Sequence, residues 1–459
     1  MAHPRQLRRA FQLQQSTHSF DERFASRGRP KRNRSCQTVK KCCLSPIAPH
    51  CELTRRCVLG RSFPSMRCPS PLETPEVVLT TSAGVVRIYR RADGISRADW
   101  ARAFPAHRKD FRYHTVLDET MSGQFAHRYL VLEDHGGEVL LIQPFFILAH
   151  DLAGELPGSL RSLVKLIRKG FPRFLLPKML MSGPSIGDGP LAGLEVWQKD
   201  PGLLCEALDR YARQCGCSLI ILKDIVAAHR REMQGAEARG YTRIPSFPGV
   251  TLPVDFDSFE NFLNKHASKK TRYDVRRKLR KSAQLATLQL EVVSDITPFA
   301  DRIHELYLAV AERSDVPFDV LTKDYFRAIG QRMPESTRFF LWRLEGRIVA
   351  FSFCMINGDT IYNHDIGLDY SVALDLHLYF VARRDTLQWS IENGFKHYFS
   401  SPFGYEPKLR MGFKLVPFDL YVRHTNRFIN FFVHRLAPRF APPKSDPLLA
   451  KFSNYGDLW

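Results

Sequence analysis

One local order of residues occurs twice along this chain and restricts the folds open to it. Leu204, Leu208, Tyr211 and Cys215 keep helical spacing, Gly216 stands where a helix would end, and Ser218 to Ile225 reads as a strand. About 180 residues on, Leu376, Phe380, Leu387 and Ile391 form a helical stripe, Gly394 follows, and Phe395 to Ser400 is again strand-like. The neighbouring pieces also correspond. Arg128–Glu133 and Glu138–Leu148 read as a hairpin turning at Gly136-Gly137, and Arg338–Leu344 and Arg347–Ile356 as one turning at Glu345-Gly346. The pattern predicts an α/β (α+β) chain of two similar domains with mixed sheets flanked by helices.

Around this repeat, 459 residues with 44% hydrophobic and 25% charged side chains suit two or three globular domains. Expected boundaries are a basic tail over 1–75, a first domain over 76–245, a second over 246–425, and a C-terminal amphipathic helix and tail over 426–459. The tail shows no hydrophobic period and reads as disordered; a transit peptide and a natural start at Met66 remain open for it. Six of ten cysteines fall within the first 68 residues, yet no CxxC pair has a matching partner, so no metal site is expected. Cys205, Cys215, Cys217 and Cys354 lie in apolar contexts, which fits a reducing, cytoplasmic setting. No apolar run reaches the roughly 18 residues that span a bilayer.

The formal charge is +20, and the tail holds only about half of it: a net +11 over residues 1–65 leaves +9 on the folded part. Lys265–Lys281, KHASKKTRYDVRRKLRK, carries nine Lys or Arg against the single acid Asp274. Ala267, Thr271, Val275 and Leu279 give it a narrow apolar line, so a helix here would dock one face and present Lys269, Lys270, Arg272, Arg276, Arg277 and Arg280 on the other. A second cluster, Lys408, Arg410 and Lys414, follows the strand ending near Ser401. Two cationic segments suggest a groove for an anion, such as the phosphates of a cofactor, a carrier or a nucleic acid, and the two are expected to converge on one cleft.

The stretches FENFLNKHASKKTRYDVRRKLRKS, Arg338 to Gly394, and FSSPFGYEPKLRMGFKLVPFDLYVRH together resemble the GNAT acyltransferase superfamily, in particular its two-domain FemAB-like branch. The resemblance runs from about Val77 to His424. It implies two tandem GNAT-like domains and N-acyl or aminoacyl transfer from a phosphorylated carrier, acyl-CoA above all, to an amine, with a cell-envelope precursor as one acceptor class. An aminoacyl-tRNA donor and peripheral contact with the inner face of a membrane are compatible with it. The oligomeric state is left open. It also implies that Lys408 stands where the family carries a lysine near donor or acceptor phosphates. Within GNAT enzymes, backbone N–H groups after a splayed strand serve the oxyanion and the pyrophosphate. The matching segment here is Thr360–Ile366 followed by GLDYSVALDL, which lacks the family's glycine-rich phosphate pattern.

Tyr405 is a candidate proton donor to a leaving group, and Glu406 a candidate acceptor from the amine. His364 is a third candidate base. It adjoins Asp365 within a strand, so the two side chains are expected on opposite faces. Asp319 is assigned to an acceptor pocket or to capping near Thr322. The glycine loop Ser182–Gly193 is read as a connection. Asn426–Phe440, which alternates aromatic and basic residues, either rests on a membrane surface or packs on the second domain. Two readings from other classes stand beside the transferase: a nucleic-acid-binding protein using the basic helix, and an inactive GNAT-like recognition scaffold.

Overall fold

The computed structural model describes residues 74–459 except 82–83, 106, 152–157, 189–200 and 314–318; the basic tail, its cysteine cluster and Met66 lie outside the described residues. The described residues gather into one compact unit built on two sheets.

In the first half, β1 (Val77–Thr81), β2 (Gly84–Tyr89), α1 (Arg97–Ala103), α2 (Phe111–Thr120), β3 (Ala126–Glu133) and β4 (Val139–Ala149) are followed by α3 (Gly158–Ile167) and β5 (Lys178–Ser182). Next come α4 (Pro201–Gln214), β6 (Leu219–Val226), α5 (Gln234–Ala238) and β7 (Thr242–Pro245). The second half begins with β8 (Gly249–Pro253), α6 (Phe259–His266), α7 (Lys269–Leu285), β9 (Gln289–Val293), α8 (Ala300–Ala311) and α9 (Lys323–Arg332). It continues through β10 (Thr337–Leu344), β11 (Arg347–Asn357), β12 (Thr360–Leu368), α10 (Leu378–Glu392), β13 (His397–Ser400), α11 (Tyr405–Arg410) and β14 (Lys414–Val416). The chain then crosses back through β15 (Phe418–His424) to α12 (Arg427–Leu436).

Both hairpins and both helix–glycine–strand units form where the hydrophobic periods place them. Gly216 and Gly394 take φ of +67° and +74° after their helices, the left-handed turn that glycine makes without strain. The sheets are mixed, in the orders β1-β2-β3-β4-β5-β6-β15-β7 and β14-β8-β13-β12-β11-β10-β9. The strand Phe418–His424, expected within the second domain, pairs with β6 and β7 of the first sheet. Continuity of the chain past Val416 therefore ties the halves covalently through a shared sheet. A common apolar layer ties them further, with Tyr113, Val116 and Phe146 packing among Ile303, Tyr325 and Phe353.

Two local readings change. Residues 227–238, whose composition suits a single helix, form a 3-10 turn, Ala227–His229, and the short α5, with a turn over 230–233 between them. The aromatic residues of α12 do not pack on the second half: Val433 faces β6 and β15, while Phe428, Phe431 and Phe432 stay exposed.

Candidate functional site

The basic segment folds as the long helix α7. Ser268 caps it, its Oγ accepting from Thr271 N, and Val275, Lys278 and Ser282 form the buried stripe. Lys278 is thus an inward cation, its Nζ 4.2 Å from the centroid of the Phe380 ring on α10. The outward face lines an open groove of about 670 Å³ with Glu260, Lys269, Arg272, Tyr273, Arg276 and Arg280. Arg276 already holds Glu260 and donates to Asn264 Oδ1 at 2.9 Å, and Arg272 donates to the Ala267 carbonyl at 2.8 Å. Arg277 pairs with Asp274 at 2.9 Å and does not line the groove.

None of the second cluster lines that groove. Lys408 is only 4% exposed, and its Nζ donates to the Ser401 and Phe403 carbonyls at 2.6 Å each. Burial, with the Arg383 charge added, pushes it well below the ordinary lysine range. The cause is local: Phe403 and Gly404 are successive left-handed residues (φ 70° and 58°), and the lysine inside the turn donates to the carbonyls it brings together. Arg410 pairs with Glu406 at 2.8 Å on the surface of α11, and Lys414 is exposed at the start of β14. The expected convergence of Arg276 with Lys408 on one cleft is not what the structure shows, because Lys408 faces its own loop. Tyr405 is buried, and its hydroxyl donates to the Pro248 carbonyl at 2.8 Å. Tyr405→Phe is therefore expected to cost about 1 kcal/mol in urea unfolding and to leave turnover unchanged; a loss of turnover at unchanged stability would restore the phenol as a proton donor.

The polar cluster that the fold does assemble lies between the halves, where β12 leaves its parallel neighbour. β13 pairs with β12 only over Thr360–Asn363, and the register of β12 against β11 shifts between Phe353 and Cys354. Asp365 stands opposite Phe353 and Asn363 opposite Cys354, so His364 is the extra residue of a bulge. The bulge breaks the two-residue alternation. His364 and Asp365 therefore do not split between opposite faces as expected: His364 stacks on Phe353, and the Asp365 charge acts on Tyr307 and Tyr325 of the same layer. His364 stacks on Phe353 with centroids 5.7 Å apart, and its Nε2 has no hydrogen-bond partner. Burial, then the charges of Lys109 and Arg108, push its pKa down to about 3, which keeps the ring neutral. A base that weak is poorly matched to neutral pH.

Asp365 behaves oppositely. Burial and then the like charge of Asp319 push its carboxyl up to about 7. Burial raises Asp319 too, against the charge of Lys223. Both carboxylates are half-buried. Asp319 does not cap α9; Thr322 does, its Oγ1 accepting from Tyr325 N at 3.1 Å.

Facing His364 is the glycine loop read from sequence as a connection. Among its described residues it is tightly held. Lys223 Nζ donates to the Gly187 carbonyl at 2.8 Å, Tyr113 Oη to that of Ile186 at 2.9 Å, and Lys109 to those of Ile186 and Asp188. Arg108 bonds the Asp188 carboxylate at 2.6 Å and lies 3.7 Å from the Tyr362 ring centroid. Gly187 has φ +65°, and a Cβ there would lie 3.0 Å from Lys109 Nζ and 3.8 Å from His364 Cε1, so the loop needs glycine to come this close. Burial pushes Lys109 down to about 7. Burial would raise Asp188, but Lys109 and Arg108 outweigh it and hold the carboxylate well below its usual range.

A coenzyme A pyrophosphate held by a backbone nest after β12 would need free N–H groups over 367–377. Those of Asp369, Val372, Ala373, Leu376 and His377 already donate to main-chain carbonyls, at 2.8 to 3.3 Å. The segment carries Asp369, paired with Arg302 at 2.6 Å, and Asp375. With these N–H groups engaged and two carboxylates in the segment, a pyrophosphate nest is disfavoured there.

Residues 269–403 match the acetyltransferase (GNAT) domain family. Over these residues the chain carries a GNAT-type domain. That domain spans α7 to β13 and includes the bulge and the parting of β12 from β13. No curated protein matches the sequence. Solved structures with similar folds include FemX, at 13% identity over 71% of this chain and 96% of that one with a TM-score of 0.44. L-PGS from Bacillus licheniformis is similar at 13% identity over 73% and 97%, TM-score 0.41. A tandem GNAT protein from the clavulanic acid biosynthesis pathway is similar at 11% over 74% and 99%, TM-score 0.41.

Arg108, Lys109, Asp188 and Lys223 went unnominated from the sequence. A usable signal was present in Arg108-Lys109-Asp110 just ahead of α2 and in His364-Asp365, two ionisable residues inside an otherwise strand-forming run.

Proposed function

We propose that the protein moves an acyl group from a phosphorylated carrier to an amine, with Asp365 as the proton acceptor. The observation that carries this reading is a half-buried carboxyl, held near neutrality by burial and Asp319, beside the point where β12 parts from β13 in the GNAT domain. The neutral amine attacks the acyl carbon and the new C–N bond forms. The carbonyl electron pair moves onto oxygen and then returns as the bond to the carrier's sulfur or oxygen breaks. Asp365 takes the amine proton and delivers it to the departing group. Backbone N–H groups of β12 beyond Asn363, where β13 no longer pairs, are the donors proposed for the oxyanion. The reaction passes through a ternary complex without an acyl-enzyme.

The donor's phosphates are assigned to the α7 groove rather than to a nest after β12. A carrier with several phosphates along its length, an aminoacyl-tRNA among them, suits that surface better than acyl-CoA in the usual pose of the fold. Amide formation followed by mass spectrometry, with acyl-CoA and aminoacyl-tRNA donors against a panel of amines, tests the reading. Turnover lost in Asp365→Asn supports it; turnover by that variant at the wild-type rate sinks it.

Lys269→Glu combined with Arg280→Glu, both exposed in the groove, is expected to raise KM for the donor about tenfold and to leave kcat unchanged. The difference should shrink as salt is added. An unchanged donor KM would remove the groove from the binding site.

A further inference from the structure

Independently of the transferase reading, we infer that α3 and α12 together form a docking face for an anionic lipid bilayer. Each helix turns apolar side chains to solvent. On α3 and the turn after it, Leu166 and Phe171 are 62% and 72% exposed; on α12, Phe428 and Phe431 are 83% and 64% exposed. Isolated exposed apolar residues are ordinary, but bulky ones grouped on two helices mark an interaction surface.

Topology brings the chain that follows α3 and the chain that enters α12 to the same end of the first sheet. α3 leads into β5 at Lys178, and α12 leaves β15 after His424. Ser218 N donates to the Lys178 carbonyl and Thr425 N to the Ser218 carbonyl, at 2.8 and 2.9 Å, so these three strand ends lie in one row. Only β6 separates β5 from β15, which sets the attachment points about 10 Å apart at one end of the first sheet.

Charge selects the occupant. Residues 158–178 carry six Lys or Arg, and residues 423–440 carry four, with no Asp or Glu in either segment; of these, Arg168 is engaged by Asp151 at 2.7 Å and Arg423 by Asp209 at 2.8 Å. Apolar side chains flanked by cations of one sign fit the interface of an anionic membrane, where the rings enter the acyl boundary and the cations meet lipid phosphates. A second copy of this chain would set these like charges against each other. Among the described residues no helix is long and apolar enough to cross a membrane, so the contact is a surface one.

Co-sedimentation with large vesicles tests this, using phosphatidylcholine alone and phosphatidylcholine with phosphatidylglycerol in equal parts. The full chain is expected to pellet with the mixed vesicles and about tenfold less with the neutral ones. Leu166→Ser with Phe171→Ser, Phe428→Ser with Phe431→Ser, and Lys165→Glu with Arg435→Glu should each lower partition about tenfold at an unchanged melting temperature. Failure to pellet, equal partition into both vesicle types, or unchanged partition of the variants would overturn the inference. So would a stable dimer in solution that Phe428→Ser with Phe431→Ser dissociates. The assay contains no acyl donor, so its outcome is separate from that of the transfer assay.

Discussion

Asp365→Asn is expected to lower kcat/KM for amine acylation by about 100- to 10,000-fold, the range over which a positioned proton acceptor contributes. The wild-type rate should rise with pH through a limb near 7, where burial and Asp319 place the Asp365 carboxyl, and the residual rate of the variant should lack that limb. Stability moves the other way. The folded state keeps a proton on Asp365 that the unfolded chain releases near pH 4. The wild type therefore loses stability as pH rises from about 4 through 7, because ionising a desolvated carboxyl opposes folding. Asn carries no such penalty. At pH 8 the variant should melt no lower than the wild type and be more stable by about 2 kcal/mol, a figure reduced for the surface that Asp365 still exposes. Thermal melts at pH 5 and pH 8 beside a pH–rate profile check both halves. A variant that loses activity by unfolding, or that keeps the limb near 7, would dismiss Asp365 as the base.

Lys408→Met is expected to destabilise the fold by about 3 kcal/mol in urea unfolding. Methionine fills much of the volume but leaves the part-buried Ser401 and Phe403 carbonyls without their donor, at about 1 to 2 kcal/mol each. The left-handed pair Phe403-Gly404 would lose the contact that holds it, so the turn between β13 and α11 should exchange its amide hydrogens faster. If the variant instead kept its stability and only the donor KM rose, Lys408 would be a ligand-facing cation, as its resemblance to the family's lysine implies.

Much of the architecture was legible because strand alternation, helical spacing and punctuating glycines are local. The hairpins β3–β4 and β10–β11 and the helix α7 came from periods of two and of about 3.6 residues with their turn and cap signals. The bulge at His364 was not legible. It arises from how β12 registers against β11, and one extra residue reverses the face assigned to its neighbour. The cationic residues misled for a related reason. Sequence counts charges, whereas the fold decides which are engaged: Lys408 by its own loop, Arg276 by Glu260 and Asn264, Lys109 and Lys223 by the carbonyls of the glycine loop.

By itself the sequence determined two α/β halves, a basic helix with one docking face, and a GNAT-like order of elements. These follow from patterns within a few turns of chain. Only the tertiary structure decided that Asp365, Asp319, His364 and the loop around Gly187 meet between the sheets, and that β15 returns to the first sheet. Proton affinity there is set by desolvation and by neighbours far away in the chain, and neither exists until the halves have packed.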